Sequence, residues 1–99
     1  MEIKNAAVAG TLESSDCMVT VEPAAGGIEL ELESAVMRQY GDRIREVAME
    51  TLDRLDVRNA RVSIVDKGAL DCTIKARVEC AVMRAAEHEG RIGWGGVIR

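Results

Sequence analysis

With 99 residues, 47% of them hydrophobic but only Tyr40 and Trp94 aromatic, the chain has material for one small core of Val, Ile, Leu, Met, Ala and Cys. A net charge of −4 argues against nucleic acid as a partner, because phosphate binding calls for clustered Lys and Arg. No run reaches the roughly 18 apolar residues of a membrane span. The first residues lack a secretory segment, and three cysteines without a C-x-x-C pair argue against a disulfide framework or metal site, so the cytoplasm is the expected compartment.

Ala6–Thr11 is small and apolar, and the polar cluster Glu13-Ser14-Ser15-Asp16 follows it. Cys17, Val19 and Val21 then alternate with more polar neighbours, which is strand periodicity, until Pro23 and Gly26-Gly27 end it. Residues 14 to 16 are therefore expected as a turn between two short strands. In Ile28-Glu29-Leu30-Glu31-Leu32-Glu33, three aliphatics face one way and three carboxylates the other, as in a strand with one face in water. A row of like charges calls for a cationic strand beside it.

Ser34 is a candidate helix cap, and Met37, Tyr40, Ile44, Val47, Thr51 or Leu52, and Leu55 repeat at three- and four-residue spacing. Arg38 with Asp42 and Glu50 with Arg54 fall at i,i+4 on the outer face. Gly41 weakens this helix by about 1 kcal/mol, and Asp56 to Asn59 stop it. Arg61–Val65 reads as a strand that turns at Asp66-Lys67-Gly68. Cys72, Ile74, Ala76, Val78, Cys80 and Val82 then alternate with Thr73, Lys75, Arg77 and Glu79, predicting a strand over 71–78; beyond Glu79 the pattern also fits a helix. Lys75 and Arg77 are the expected neighbours of the Glu29/Glu31/Glu33 row. The expected fold class is α+β: one small domain over 1–99, a mostly antiparallel sheet with one amphipathic helix on one face, and a flexible glycine-rich tail over about 90–99.

Catalytic machinery is hard to find. The single imidazole, His88, stands between two glutamates near the chain end, a poor setting for a preorganised base. Cys17, Cys72 and Cys80 fall on apolar faces and read as buried structural thiols. The glutamate row is explained by its alternation, and no phosphate-cradling loop is legible. A bare Ser-Ser-Asp cluster is ordinary turn chemistry.

The segment Gly10-Thr11-Leu12-Glu13-Ser14-Ser15-Asp16 nevertheless closely resembles the acyl carrier (gamma) subunits of citrate lyase. The likeness extends through Ala7-Val8-Ala9, Gln39-Tyr40-Gly41-Asp42-Arg43-Ile44, Asp66-Lys67-Gly68-Ala69-Leu70-Asp71-Cys72 and the tryptophan near the C-terminus, and so covers nearly the whole chain. The resemblance implies that Ser14 carries 2'-(5''-phosphoribosyl)-3'-dephospho-CoA through a phosphodiester; many members have Gly where this chain has Ser15. It implies a non-catalytic carrier of acetyl and citryl thioesters. Citrate lyase alpha and beta subunits would cleave citrate to acetate and oxaloacetate on it, after a prosthetic-group transferase has loaded it. Glu13 and Asp16 are then expected to orient the turn or dock it to basic surfaces. The alternatives are a carrier for a related lyase or decarboxylase acting on citramalate or malonate, and a cofactor-free scaffold.

Overall fold

The computed structural model describes residues 2–34 and 37–86, with 37–39 described through their backbone. The elements run β1 (Ala7–Gly10), β2 (Cys17–Glu22), β3 (Ile28–Ser34), α1 (Met37–Arg54), β4 (Ala60–Asp66) and α2 (Asp71–Ala86). The four strands form one sheet in the order β1-β2-β4-β3. β1 with β2 and β2 with β4 are antiparallel, and β3 with β4 is parallel, so the mostly antiparallel expectation holds with one parallel pair. A parallel pair needs a long crossover, and α1 supplies it.

The period-two patterns sort the sheet into two faces. Cys17, Val19 and Val21 of β2 stand opposite Asp66, Ile64 and Val62 of β4, and all are buried. Ile28, Leu30 and Leu32 of β3 extend this face to one edge, and Ala7 and Ala9 of β1 extend it to the other. The opposite face carries Glu22, Glu29, Glu31, Glu33 and Arg61. The cation expected beside the glutamate row is Arg61, 3.3 Å from Glu29 and 3.7 Å from Glu22.

α1 buries Ile44, Val47, Ala48, Thr51 and Leu52, as its stripe predicts, while Tyr40 stays exposed. The buried Thr51 hydroxyl donates to the Val47 carbonyl (2.8 Å), which removes the cost of burying it unpaired. The helix stops where expected. Asp56 takes a φ of 59°, its N–H donates to the Asp53 carbonyl at 2.9 Å, and the Val57 N–H donates to the Leu52 carbonyl at 3.0 Å. This is a Schellman ending with Asp in the place usually held by Gly. The cap expected at Ser34 leads into residues 35 and 36; these, the Arg38 pairing, His88 and the tail lie outside the described residues. Arg54 pairs not with Glu50 but with Glu79 of α2.

The strand expected over 71–78 is instead the first half of α2, a correction with a clear cause. Ile74, Val78, Ala81, Val82 and Ala85 are the buried residues, at spacings of four, three, one and three. Even-numbered alternation and an i,i+4 row coincide at Ile74, Val78 and Val82, so periodicity alone could not separate them. Sheet width decides. Four strands about 4.8 Å apart are wider than one helix of about 10 Å, and a single helix leaves β1 and β2 uncovered. α2 packs on those two strands and alongside α1. The single-helix expectation therefore becomes two helices within the same α+β class. Lys75 and Arg77 lie on α2, away from the glutamate row. Cys72 is exposed rather than buried, Cys80 is half-buried, and only Cys17 is enclosed.

Candidate functional site: the β1–β2 turn

Ser14 lies where expected, at the exposed apex of the turn joining β1 and β2. The turn is built from its own polar residues. The Asp16 N–H donates to the Glu13 carbonyl (3.2 Å), closing a four-residue turn with Ser14 and Ser15 at its centre. Ser15 has a φ of 66°, the left-handed conformation that a type II turn demands at this position and that Gly adopts most easily. The Ser15 N–H is held by the Lys67 carbonyl at 2.8 Å, and the Lys67 N–H returns to the Asp16 carbonyl at 2.9 Å. Ser15 is therefore pinned through its backbone to the loop after β4. Among the described residues, none hydrogen-bonds the Ser14 hydroxyl.

Asp16 is the keystone of the turn. Its carboxylate accepts from Arg77 through two nitrogens, Nε at 3.0 Å and the terminal nitrogen at 2.9 Å. It also accepts from the Thr11 hydroxyl at 2.6 Å and the Cys17 N–H at 2.7 Å. The Arg77 hydrogen bonds first, then those from Thr11 and Cys17, hold the Asp16 carboxyl well below the usual carboxylate range. With its side chain only 14% exposed, Asp16 orients the turn rather than offering charge to a partner. Glu13 remains exposed.

Gly10 completes the frame. Its φ is 97°, and a Cβ there would stand 1.9 Å from the Cys17 carbonyl oxygen, so no other residue fits without moving the turn. The adjacent thiol of Cys17 is fully buried; burial first, then the Asp16 and Asp66 charges, push it up to about 11, which makes it a poor nucleophile at neutral pH. Behind the turn, the buried Asp66 carboxylate gathers the Ser34 hydroxyl (2.8 Å) and the N–H groups of Gly68 (3.2 Å) and Ala69 (2.9 Å). The ends of β3 and β4 and the start of β2 thus meet at the end of the molecule that presents Ser14, and both helices begin there.

Reading the sequence located Ser14, Glu13 and Asp16 but misplaced Arg77, which it set on a strand. The signal for Arg77 was its four-residue step from Thr73 and three-residue step to Cys80 on a half-buried helical row, legible only once 71–86 is known to be a helix. The arrangement offers a primary hydroxyl on a fixed turn, and none of the described residues hydrogen-bonds it as a general base would. It suits a substrate for modification rather than a catalyst.

The family model described as "Malonate decarboxylase delta subunit (MdcD)" matches residues 4–85. The chain is 60% identical to the citrate lyase acyl carrier protein of Streptococcus mutans over 90 residues, covering 90% of this chain and 88% of the relative. It is 58% identical to that of Vibrio cholerae over 95 residues, covering 95% and 96%, and 56% identical to that of Escherichia fergusonii, covering 98% and 100%. A crystal structure of a Pseudomonas malonate decarboxylase hetero-tetramer in complex with malonate contains a chain of the same fold, with a TM-score of 0.73 at 20% identity over 83% of this chain and 84% of that one. These likenesses run the length of the sheet, both helices and the serine turn: the chain belongs to the citrate lyase acyl carrier protein family.

Proposed function

We propose that the chain is the acyl carrier subunit of a citrate lyase, a single carrier domain loaded at Ser14 with 2'-(5''-phosphoribosyl)-3'-dephospho-CoA and serving alpha and beta subunits in the cytoplasm. The observation that carries the site assignment is the contrast between neighbouring serines. Both hydroxyls are exposed with none of the described residues bonded to them, but Ser15 is held in a left-handed conformation, φ 66°, with its N–H on the Lys67 carbonyl, whereas the Ser14 backbone carries neither constraint. An attaching enzyme needs access to such a hydroxyl and a backbone that does not have to be reordered on binding.

The residues present fit a phosphate-linked group. Lys67 is exposed beside the turn, and the positive ends of two helix dipoles lie at the same end of the molecule. When bound, the group supplies the thiol that carries the acyl cargo. The chain's own contributions are attachment, presentation and a high effective concentration of that cargo at partner sites. Its residues bind and orient, and the carbon–carbon bond chemistry belongs to the partner subunits.

Intact-mass measurement of the chain purified from a citrate-splitting culture tests this directly. The expected result is one mass increase matching the nucleotide-derived group, retained in Ser15→Ala and absent in Ser14→Ala. An unmodified chain from that culture would refute the carrier reading, and modification surviving Ser14→Ala would move the site to Ser15. A citramalate- or malonate-handling complex is separated from this reading by assaying the loaded chain with each substrate in the presence of its partner subunits.

A further inference from the structure

The loop that pins Ser15 also walls a pocket. Gly68, Ala69 and Leu70 follow Lys67 directly, and with Tyr40 and Ile44 of α1 and Cys72 of α2 they line a cleft of about 630 Å³. That volume falls in the range of small-molecule sites. Two of the large apolar side chains that stay exposed line this cleft: Leu70 is 70% exposed and Tyr40 54%. Among the described residues, nothing covers them.

The lining is mostly apolar, and its charged members, Arg43, Asp66 and Asp71, are already paired or hydrogen-bonded. Arg43 at its rim is shared between Glu46 (2.8 Å) and Asp71 (2.9 Å). The buried Asp66 spends its oxygens on Ser34, Gly68 and Ala69. What remains for a guest is an aromatic ring, aliphatic edges and the backbone of a glycine with open space above it. A flat, uncharged heteroaromatic ring fits this lining, since stacking on Tyr tolerates any π-face. Anionic groups fit outside it, towards the exposed Lys67 that separates the cleft from the turn.

We propose that this cleft is the resting site of the arm tethered at Ser14, with the purine ring of its nucleotide against Tyr40 and Leu70 and its phosphates outside near Lys67. The inference rests on the carrier reading above. Tethering makes even weak docking effective, because the ring never leaves the neighbourhood of the cleft. The docking has to be weak, since the same arm must be released to partner sites. The cleft thereby shields the exposed Cys72 and the apolar surface between visits.

The test compares the loaded chain with its Ser14→Ala form. Intact mass first establishes whether the arm is attached; with no mass increase both readings fall together. With the arm attached, amide resonances of Ile44 and of residues 68–72 are expected to shift relative to Ser14→Ala, and alkylation of Cys72, read by peptide mass, is expected to slow several-fold. Leu70→Asp and, separately, Tyr40→Ala should return both signals towards the unloaded values while leaving the mass increase in place. Both side chains are exposed, so two independent variants guard against a folding artefact. Shifts confined to residues 11–17 with unchanged Cys72 alkylation would overturn the resting site and leave the carrier reading standing. So would a Leu70→Asp chain whose loaded signals match the parent's.

Discussion

Two of the connections between strands, β1–β2 and β2–β3, use left-handed residues differently. The β1–β2 turn, residues 11–16, is tied at Asp16 to Arg77 and Thr11, at Ser15 to Lys67, and at Gly10 to a carbonyl that leaves no room for a side chain. The β2–β3 connection, residues 23–27, has Gly26 and Gly27 at φ values of 92° and 112°, yet a Cβ on either would meet nothing within 4 Å. Its two ties both fall on Gly27: the N–H donates to Asn59 Oδ1 (2.8 Å) and the carbonyl accepts from the Ala60 N–H (3.1 Å). One connection is fixed from several directions and the other merely closes the chain. Over-determination of a local conformation marks a place where shape, and not just connectivity, is under demand. Here it surrounds Ser14.

The sharpest way to break the comparison is to put the same methyl group into both connections. Gly10→Ala combines a left-handed backbone with a clash against fixed backbone, and should cost roughly 3 kcal/mol or more, seen as a fall in Tm of at least about 12 °C. Gly26→Ala bears only the backbone term, about 1 kcal/mol, and equal losses at the two sites would erase the distinction. Next in size is Arg77→Gln, which removes the bidentate clamp on Asp16 while keeping the helix. Attachment at Ser14 is expected to slow several-fold with little change in the α-helical circular dichroism. An unchanged loading rate would show that the turn holds its shape without Arg77.

The acid limb of stability sharpens the same point. Asp16 is held below its unfolded value of about 3.9, so its contribution is fully present above that value and is lost as pH falls towards the folded one. The stability difference between the parent chain and Asp16→Asn, read from urea midpoints, should be constant above about pH 5 and shrink below about pH 4. A difference that does not change with pH would mean that the carboxylate's charge is irrelevant. The smallest expected effect is a gain. Ser15→Gly relieves a left-handed serine at φ 66° and should stabilise the chain by up to about 1 kcal/mol, with loading at Ser14 preserved. A loss of stability would mean that the Ser15 side chain contributes more than its backbone strain costs.

Much of this molecule was legible before its structure. β2 and β3 followed from strict alternation, α1 from its apolar stripe, the stop at Asp56 from a polar cluster, and the serine turn from its place between two strands. What failed was the strand expected over residues 71–78, and with it the location of Arg77 and the exposure of Cys72. Alternating apolar residues at even positions include an i,i+4 series, and short-range pattern holds no information about which neighbour will cover them.

The sequence by itself determined which residues seek burial, where the chain must turn, and that Ser14 stands on one of those turns, because these depend on side-chain chemistry over a few neighbouring positions. Tertiary structure decided the rest. The width of a four-stranded sheet required a second helix, and that helix carried Arg77 across 61 residues of chain to grip Asp16. The loop after β4 came to rest against the turn and set Ser15 apart from Ser14. Such contacts join residues remote in sequence, and only the folded packing of sheet on helices brings them within hydrogen-bonding distance.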